Sequence, residues 1–131
     1  MKLFVDEPHS DTMRSTSLAS TRLMVSQLTW TEMCAGMSLK QRTGQVEARL
    51  AAKALQELHE EWPRYYRLGI DEDLVATAGE LALRFGLRAY DSVQLASAQR
   101  AHQQLGTAMT FCCFDKQLNH AASALTLTIL E

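Results

Sequence analysis

Three acidic residues stand where a chain most easily holds side-chain chemistry in place: Glu32, Asp91 and Asp115. Asp91 lies in the run Leu87 to Ala98, Leu-Arg-Ala-Tyr-Asp-Ser-Val-Gln-Leu-Ala-Ser-Ala, directly after Gly86 closes a periodic segment. That run predicts a helix with Asp91 in its first turn. Asp115 ends a β-compatible run, Met109 to Phe114, and precedes a short helix predicted over Lys116 to Ala124. Glu32 follows the apolar run Leu23 to Leu28 and is predicted in the first turn of a helix capped by Thr29 or Thr31. Each acid alone has an ordinary explanation, since a first-turn carboxylate offsets the helix dipole by about 0.3–1 kcal/mol. Together they point further. In a parallel sheet, strand ends and helix starts converge on one edge, so the three can share a pocket. Carboxylates without paired lysines or arginines repel one another, and a divalent cation offsets that repulsion. Ligation by oxygen alone suits Mg²⁺ or Mn²⁺, and the chemistry such a site most often serves is phosphodiester hydrolysis.

The elements that must position these acids alternate along the chain. Strands are expected at Leu23 to Leu28, Tyr65 to Ile70, Met109 to Phe114 and Leu125 to Leu130. Val46, Leu50, Ala54, Leu58 and Trp62 recur every four residues, predicting a long amphipathic helix that Pro63 ends. Asp71 or Asp73 caps the next helix, with Leu74, Ala78, Leu81, Ala82 and Phe85 on one face and Gly86 as its stop. In the Asp91 helix the inward stripe is Leu95, Ala98, Ala101 and Leu105. Ser15 to Thr21 reads as a Ser/Thr-rich connection. Met1 to Val5 has two readings, a strand ending in Asp6 or the last turn of a helix, with Pro8 starting a fresh helical segment. The crossovers are long enough for parallel pairing, so the fold class is α/β, a parallel sheet with helices on both faces.

At 131 residues the chain is expected to be one domain, residues 1–131, with one sizeable core. Apolar residues make up 47% and charged residues 21%, a balance that argues against disorder. A formal charge of −2 excludes a strongly basic footprint, so any nucleic acid must be gripped locally or with metal help. No apolar run is long enough to cross a bilayer and no leader pattern opens the chain, so the expected location is the cytoplasm. Three cysteines, Cys34, Cys112 and Cys113, are an odd number and two are adjacent; reduced thiols are expected rather than a disulfide framework or a zinc site. His9, His59, His102 and His120 show no ligand spacing. No Gly-x-Gly-x-x-Gly or Gly-Lys-Ser/Thr occurs, which disfavours dinucleotide-binding and P-loop folds, and the absence of a Lys near the last strand disfavours a receiver-type signalling domain.

The run Leu87 to Ala98, followed by Phe111-Cys-Cys-Phe-Asp-Lys-Gln-Leu-Asn-His-Ala-Ala, resembles the C-terminal half of PIN-domain proteins, particularly the VapC-like toxins of toxin-antitoxin pairs. Ser26-Gln-Leu-Thr-Trp-Thr-Glu32 resembles that family's second acidic segment, and Lys2-Leu-Phe-Val-Asp-Glu-Pro the end of its first helix. The resemblance implies a three-layer α/β/α fold and a metal-dependent endoribonuclease, regulated by a bound antitoxin and usually a homodimer. Glu32, Asp91 and Asp115 match the second, third and fourth acidic positions and would hold one or two Mg²⁺ or Mn²⁺ ions for attack of water on RNA. Arg88 or Lys116 would help hold the phosphate.

Two departures bear on that expectation. Members of the family begin with a strand carrying an Asp followed by Thr or Ser, and no such sequence stands near the start of this chain. The first central strand and the first acid are therefore expected to be missing, with Asp6 a substitute only if Met1 to Val5 is a strand. Loss of one carboxylate would weaken metal binding and misplace the nucleophilic water. The alternative to an enzyme is thus a catalytically inactive PIN-like module that binds an antitoxin or RNA. Secondly, Thr126 stands where the family commonly has Gly before its last strand.

Overall fold

The structure, a computed structural model, describes residues 1–20, 22–106 and 109–130. Among the described residues the order is α1 (Ser10–Ala19), β1 (Met24–Ser26), α2 (Leu28–Arg42), α3 (Ala48–Glu61), β2 (Tyr66–Leu68), α4 (Glu72–Phe85), α5 (Ala89–Leu105), β3 (Thr110–Phe111), α6 (Lys116–Ala124) and β4 (Thr128–Ile129), with a 3₁₀ turn at Trp62–Arg64. The α/β class is as expected. Strands β1 and β2 are hydrogen-bonded neighbours, as are β3 and β4. The second pair is parallel, with Thr110 opposite Thr128 and Phe111 opposite Ile129. Each strand lies inside its predicted run but is shorter, because an apolar run marks burial while a ladder needs a partner at every residue.

By its internal packing the chain divides into two compact units, residues 1–67 and 68–131. In the first, Met33 and Met37 of α2 and Ala51, Ala54 and Leu58 of α3 form the buried cluster, with Met1, Phe4, Val5, Trp30 and Trp62 packed around it. Leu50 is instead 49% exposed. A four-residue repeat drifts by about 40° per step on a 3.6-residue helix, so only part of the predicted stripe can face inward. Met1 to Val5 forms a turn, with the Phe4 and Val5 amides donating to the Met1 carbonyl at 2.9 and 3.1 Å. Asp6 consequently follows a turn, not a strand, and pairs with Arg14 at 2.7 Å.

Two local expectations in this unit are corrected. Helix α1 runs through Ser15 to Ala19, where a connection was predicted; the Thr21 end of that connection lies outside the described residues. The hydroxyls there turn back on the helix: Thr16 Oγ1 donates to the Thr12 carbonyl at 2.8 Å and Ser20 Oγ to the Thr16 carbonyl at 2.6 Å. Helix α2 starts at Leu28, before either candidate threonine cap, and the buried Ser26 hydroxyl accepts from the Leu28 amide at 3.2 Å.

In the second unit, Leu74, Ala78 and Leu81 of α4 pack with Leu95, Ala96 and Ala98 of α5, Leu118, Ala121 and Ala122 of α6, and Leu127. The alanines let helix backbones approach closely. Leu105, at the end of α5, is 58% exposed and leaves the predicted stripe. Asp71 is the cap of α4, its Oδ1 accepting from the Leu74 amide at 2.8 Å. Gly86 ends that helix at φ 64, the left-handed conformation glycine adopts without steric cost.

Asp71 also receives both Nη atoms of Arg100 at 2.8 Å. The Arg100 hydrogen bond, then the Leu74 amide, lower its carboxyl to about 2 from an ordinary 3.8. The unfolded chain binds this proton more readily, so the stabilisation is complete above pH 4 and is lost as pH falls towards 2. Denaturation of wild type and Asp71→Asn across that window tests this: the variant keeps the cap, and its stability should fall less between pH 5 and pH 2.5, whereas parallel curves would refute the coupling.

Thr126 has φ 62. A β-branched residue is strained there, at a cost of order 1–3 kcal/mol. Thr126→Gly should therefore raise stability in urea by about 1 kcal/mol after allowing for glycine's greater unfolded-state freedom; an unchanged or lowered midpoint would contradict the strain.

Candidate functional site

Asp91 lies in the first turn of α5, as predicted, one turn after the cap residue Arg88. Arg88 Nε donates to Asp91 Oδ2 at 2.9 Å, from a side chain 80% exposed to a carboxylate 21% exposed. That hydrogen bond, followed by the charge of Asp91, pushes the guanidinium's pKa up, and Asp115 adds to the effect.

Asp115 is the cap of α6, its Oδ1 accepting from the Leu118 amide at 2.8 Å. Its own amide donates to Cys113 Sγ at 3.3 Å. Asn119, one turn further on, fixes the same loop by donating from Nδ2 to the Cys113 carbonyl at 2.8 Å. Gln117 Nε2 donates to the Phe85 and Gly86 carbonyls, each at 3.1 Å, tying the start of α6 to the turn that leads into α5. Burial pushes the Cys113 thiol up, and the charges of Asp115 and Asp91 act in the same direction. Asp91 and Asp115, 24 residues apart in sequence, thus act on the same two groups, Arg88 and Cys113, from neighbouring helix starts.

Glu32 belongs to the first unit. Because α2 begins at Leu28, Glu32 is in the second turn, not the first. It is half-buried and acts on the α-amino group of Met1, as does Glu7. Burial is the main cause lowering that amine, while the two glutamates oppose it. Glu7 is itself held by Lys2 at 3.4 Å and Lys40 at 3.3 Å. Among the described residues, no group of three or more His, Cys, Asp and Glu side chains is gathered as a metal site.

The donor chemistry still suits a hard divalent cation. Asp91 commits Oδ2 to Arg88 and Asp115 commits Oδ1 to a backbone amide, so each bond uses one of two carboxylate oxygens. The raised Cys113 pKa keeps that group a thiol, not a soft thiolate donor. The three cysteines are free, and all are half-buried where reduced core thiols were expected. Sequence reasoning missed Cys113 and Asn119 as supports. The only available signal was Asn119 at the i+4 position from Asp115, a spacing that places both on one helical face.

Among the described residues, no helix is long and apolar enough to cross a membrane. The family described as PIN domain matches residues 1–123 of the chain. No curated protein matches it.

Proposed function

The chain belongs to the PIN-domain family, whose membership points to nuclease-type chemistry, and from that premise we propose that it is a VapC-like, metal-dependent endoribonuclease of a toxin-antitoxin pair. The observation that supports this reading is the placement of Asp91 in the first turn of α5 and of Asp115 at the cap of α6, with Gln117 tying the start of α6 to the turn that leads into α5. In it, Asp91 and Asp115 would hold Mg²⁺ or Mn²⁺. When bound, the cation lowers the pKa of a water and offsets charge developing on the phosphate. The protein's share is positional. Asp91 is fixed by the first turn of a long helix and Asp115 by its cap bond, so neither needs to be ordered when substrate arrives. Arg88 and Lys116, both exposed, take the phosphodiester oxygens.

Purified protein incubated with single-stranded RNA should cleave it with Mg²⁺ or Mn²⁺ and not with EDTA; intact RNA under every divalent cation would refute the proposal. The partners are an RNA substrate, an antitoxin protein and a second copy of the chain, and the proposed location is the cytoplasm. For the homodimer the support is α4, whose Val75 and Leu83 are 54% and 89% exposed two helical turns apart. Light scattering that gives a monomer at micromolar concentration would exclude it. A second reading, an inactive module that binds antitoxin or RNA, is favoured by the ion pair of Asp91 with Arg88 at 2.9 Å, which already offsets the charge a cation would meet. Calorimetry separates the two, since the inactive module would bind partner without measurable Mn²⁺ affinity.

A further inference from the structure

The first unit carries an aromatic and basic patch that no part of the acidic centre uses. Tyr66, at the start of β2, is 48% exposed. The guanidinium of Arg22, itself exposed, lies 5.2 Å from the Tyr66 ring centroid. Arg64 stands two residues before Tyr66, in a 3₁₀ turn, with its side chain 75% exposed and one amine on Glu61 at 2.9 Å. A half-exposed tyrosine offers a partner both an apolar ring and a polar hydroxyl. The guanidinium over it makes the site electropositive as well as flat, which disfavours a plain hydrophobic partner.

We propose that Tyr66 and Arg22 form a docking step for single-stranded RNA, one base replacing the Arg22 guanidinium over the Tyr66 ring while Arg22 and Arg64 meet the adjoining phosphates. This deepens the ribonuclease reading and takes its substrate class from it. The complementarity is of two kinds. Every base offers a π-face to a tyrosine ring, and stacking of this kind is tolerant of sequence. The arginines supply the charge that the chain as a whole, at −2, lacks. A duplex has its bases stacked inside and cannot use the ring. Arg67, next along β2, projects from the opposite side of the pleat and serves as a control.

The test is fluorescence anisotropy with labelled single-stranded RNA of about 12 nucleotides, in EDTA so that nothing is cut. Tyr66→Ala should weaken binding about 5- to 150-fold, and Tyr66→Phe should keep it. The ring makes no described side-chain hydrogen bond, and the backbone amide that holds β2, Tyr66 N–H to the Leu23 carbonyl at 2.9 Å, survives both changes. Arg22→Gln, a surface change that spares the fold, should weaken binding and reduce the salt slope by about 0.7; Arg67→Gln should do less. Wild-type affinity in both Tyr66→Ala and Arg22→Gln, or equal affinity for duplex, overturns the proposal. Equal displacement of RNA by polyglutamate would also do so, since charge alone would then explain binding. Tyr66-dependent binding by a protein that cuts nothing would leave this surface standing while removing the nuclease reading; cleavage with Tyr66-independent binding would do the reverse.

Discussion

Asp91→Asn is expected to lower Mg²⁺- or Mn²⁺-dependent RNA cleavage by at least about 100-fold, the scale that follows when a reacting water is misplaced by an ångström or so. The substitution keeps the side chain's size and its ability to accept from Arg88, but removes the charge. Asp91 otherwise contributes a first-turn dipole interaction of about 0.3–1 kcal/mol and an ion pair with a side chain 80% exposed. Both are small beside a core. A loss of activity with an unchanged melting temperature therefore reports on chemistry, not folding. Glu32→Gln, at the residue that matches the family's second acidic position, is measured in the same assay and should give a loss of the same order. Cleavage within twofold of wild type in Asp91→Asn would remove Asp91 from the site, and the same outcome in Glu32→Gln would remove any catalytic part for Glu32. The readout is single-turnover cleavage at saturating metal, accompanied by Mn²⁺ titration of each variant.

The elements that carry these acids were legible where local signals agreed. Helix α6 occupies Lys116–Ala124 as predicted because a capping acid, an apolar face and a small-residue run all mark the same boundaries. Helix α4 is read equally well between Asp71 and Gly86. Where composition and hydrogen bonding disagreed, the reading failed. The Ser/Thr-rich stretch after Arg14 resembles a loop by composition, yet its hydroxyls return to carbonyls one turn back and let α1 continue. The start of α2 was misread for a related reason. Its Leu28 amide donates to the Ser26 hydroxyl, inside the strand run, a place where a buried serine is not an obvious cap. That shift moves Glu32 from the first turn to the second, so its place away from the helix mouth could not be read from its neighbours. The convergence of Asp91 and Asp115 depends on Gln117 and Asn119 binding carbonyls of distant or looped backbone, and hydrogen bonds of that kind leave no periodic trace in a sequence.

Asp115 joins two roles that one pair of substitutions can separate. Its Oδ1 caps α6 through the Leu118 amide, and its charge acts on Cys113 and Arg88 beside Asp91. Asn caps a helix about as well as Asp, whereas Ala costs about 1 kcal/mol. Asp115→Asn should therefore unfold at nearly the wild-type temperature yet lose cleavage by about 100-fold, as expected for loss of a charged ligand that helps place the attacking water. Asp115→Ala should lose the same activity and be destabilised as well. The Cys113 thiol supplies a readout independent of cleavage. With one of the two carboxylate charges gone, its pKa should fall in Asp115→Asn, which thiol-specific alkylation rates across pH would detect. A variant that keeps full cleavage while its thiol titrates lower would confirm the shared neighbourhood and deny it a catalytic part. If instead neither quantity moves, Asp115 is a helix cap and nothing more.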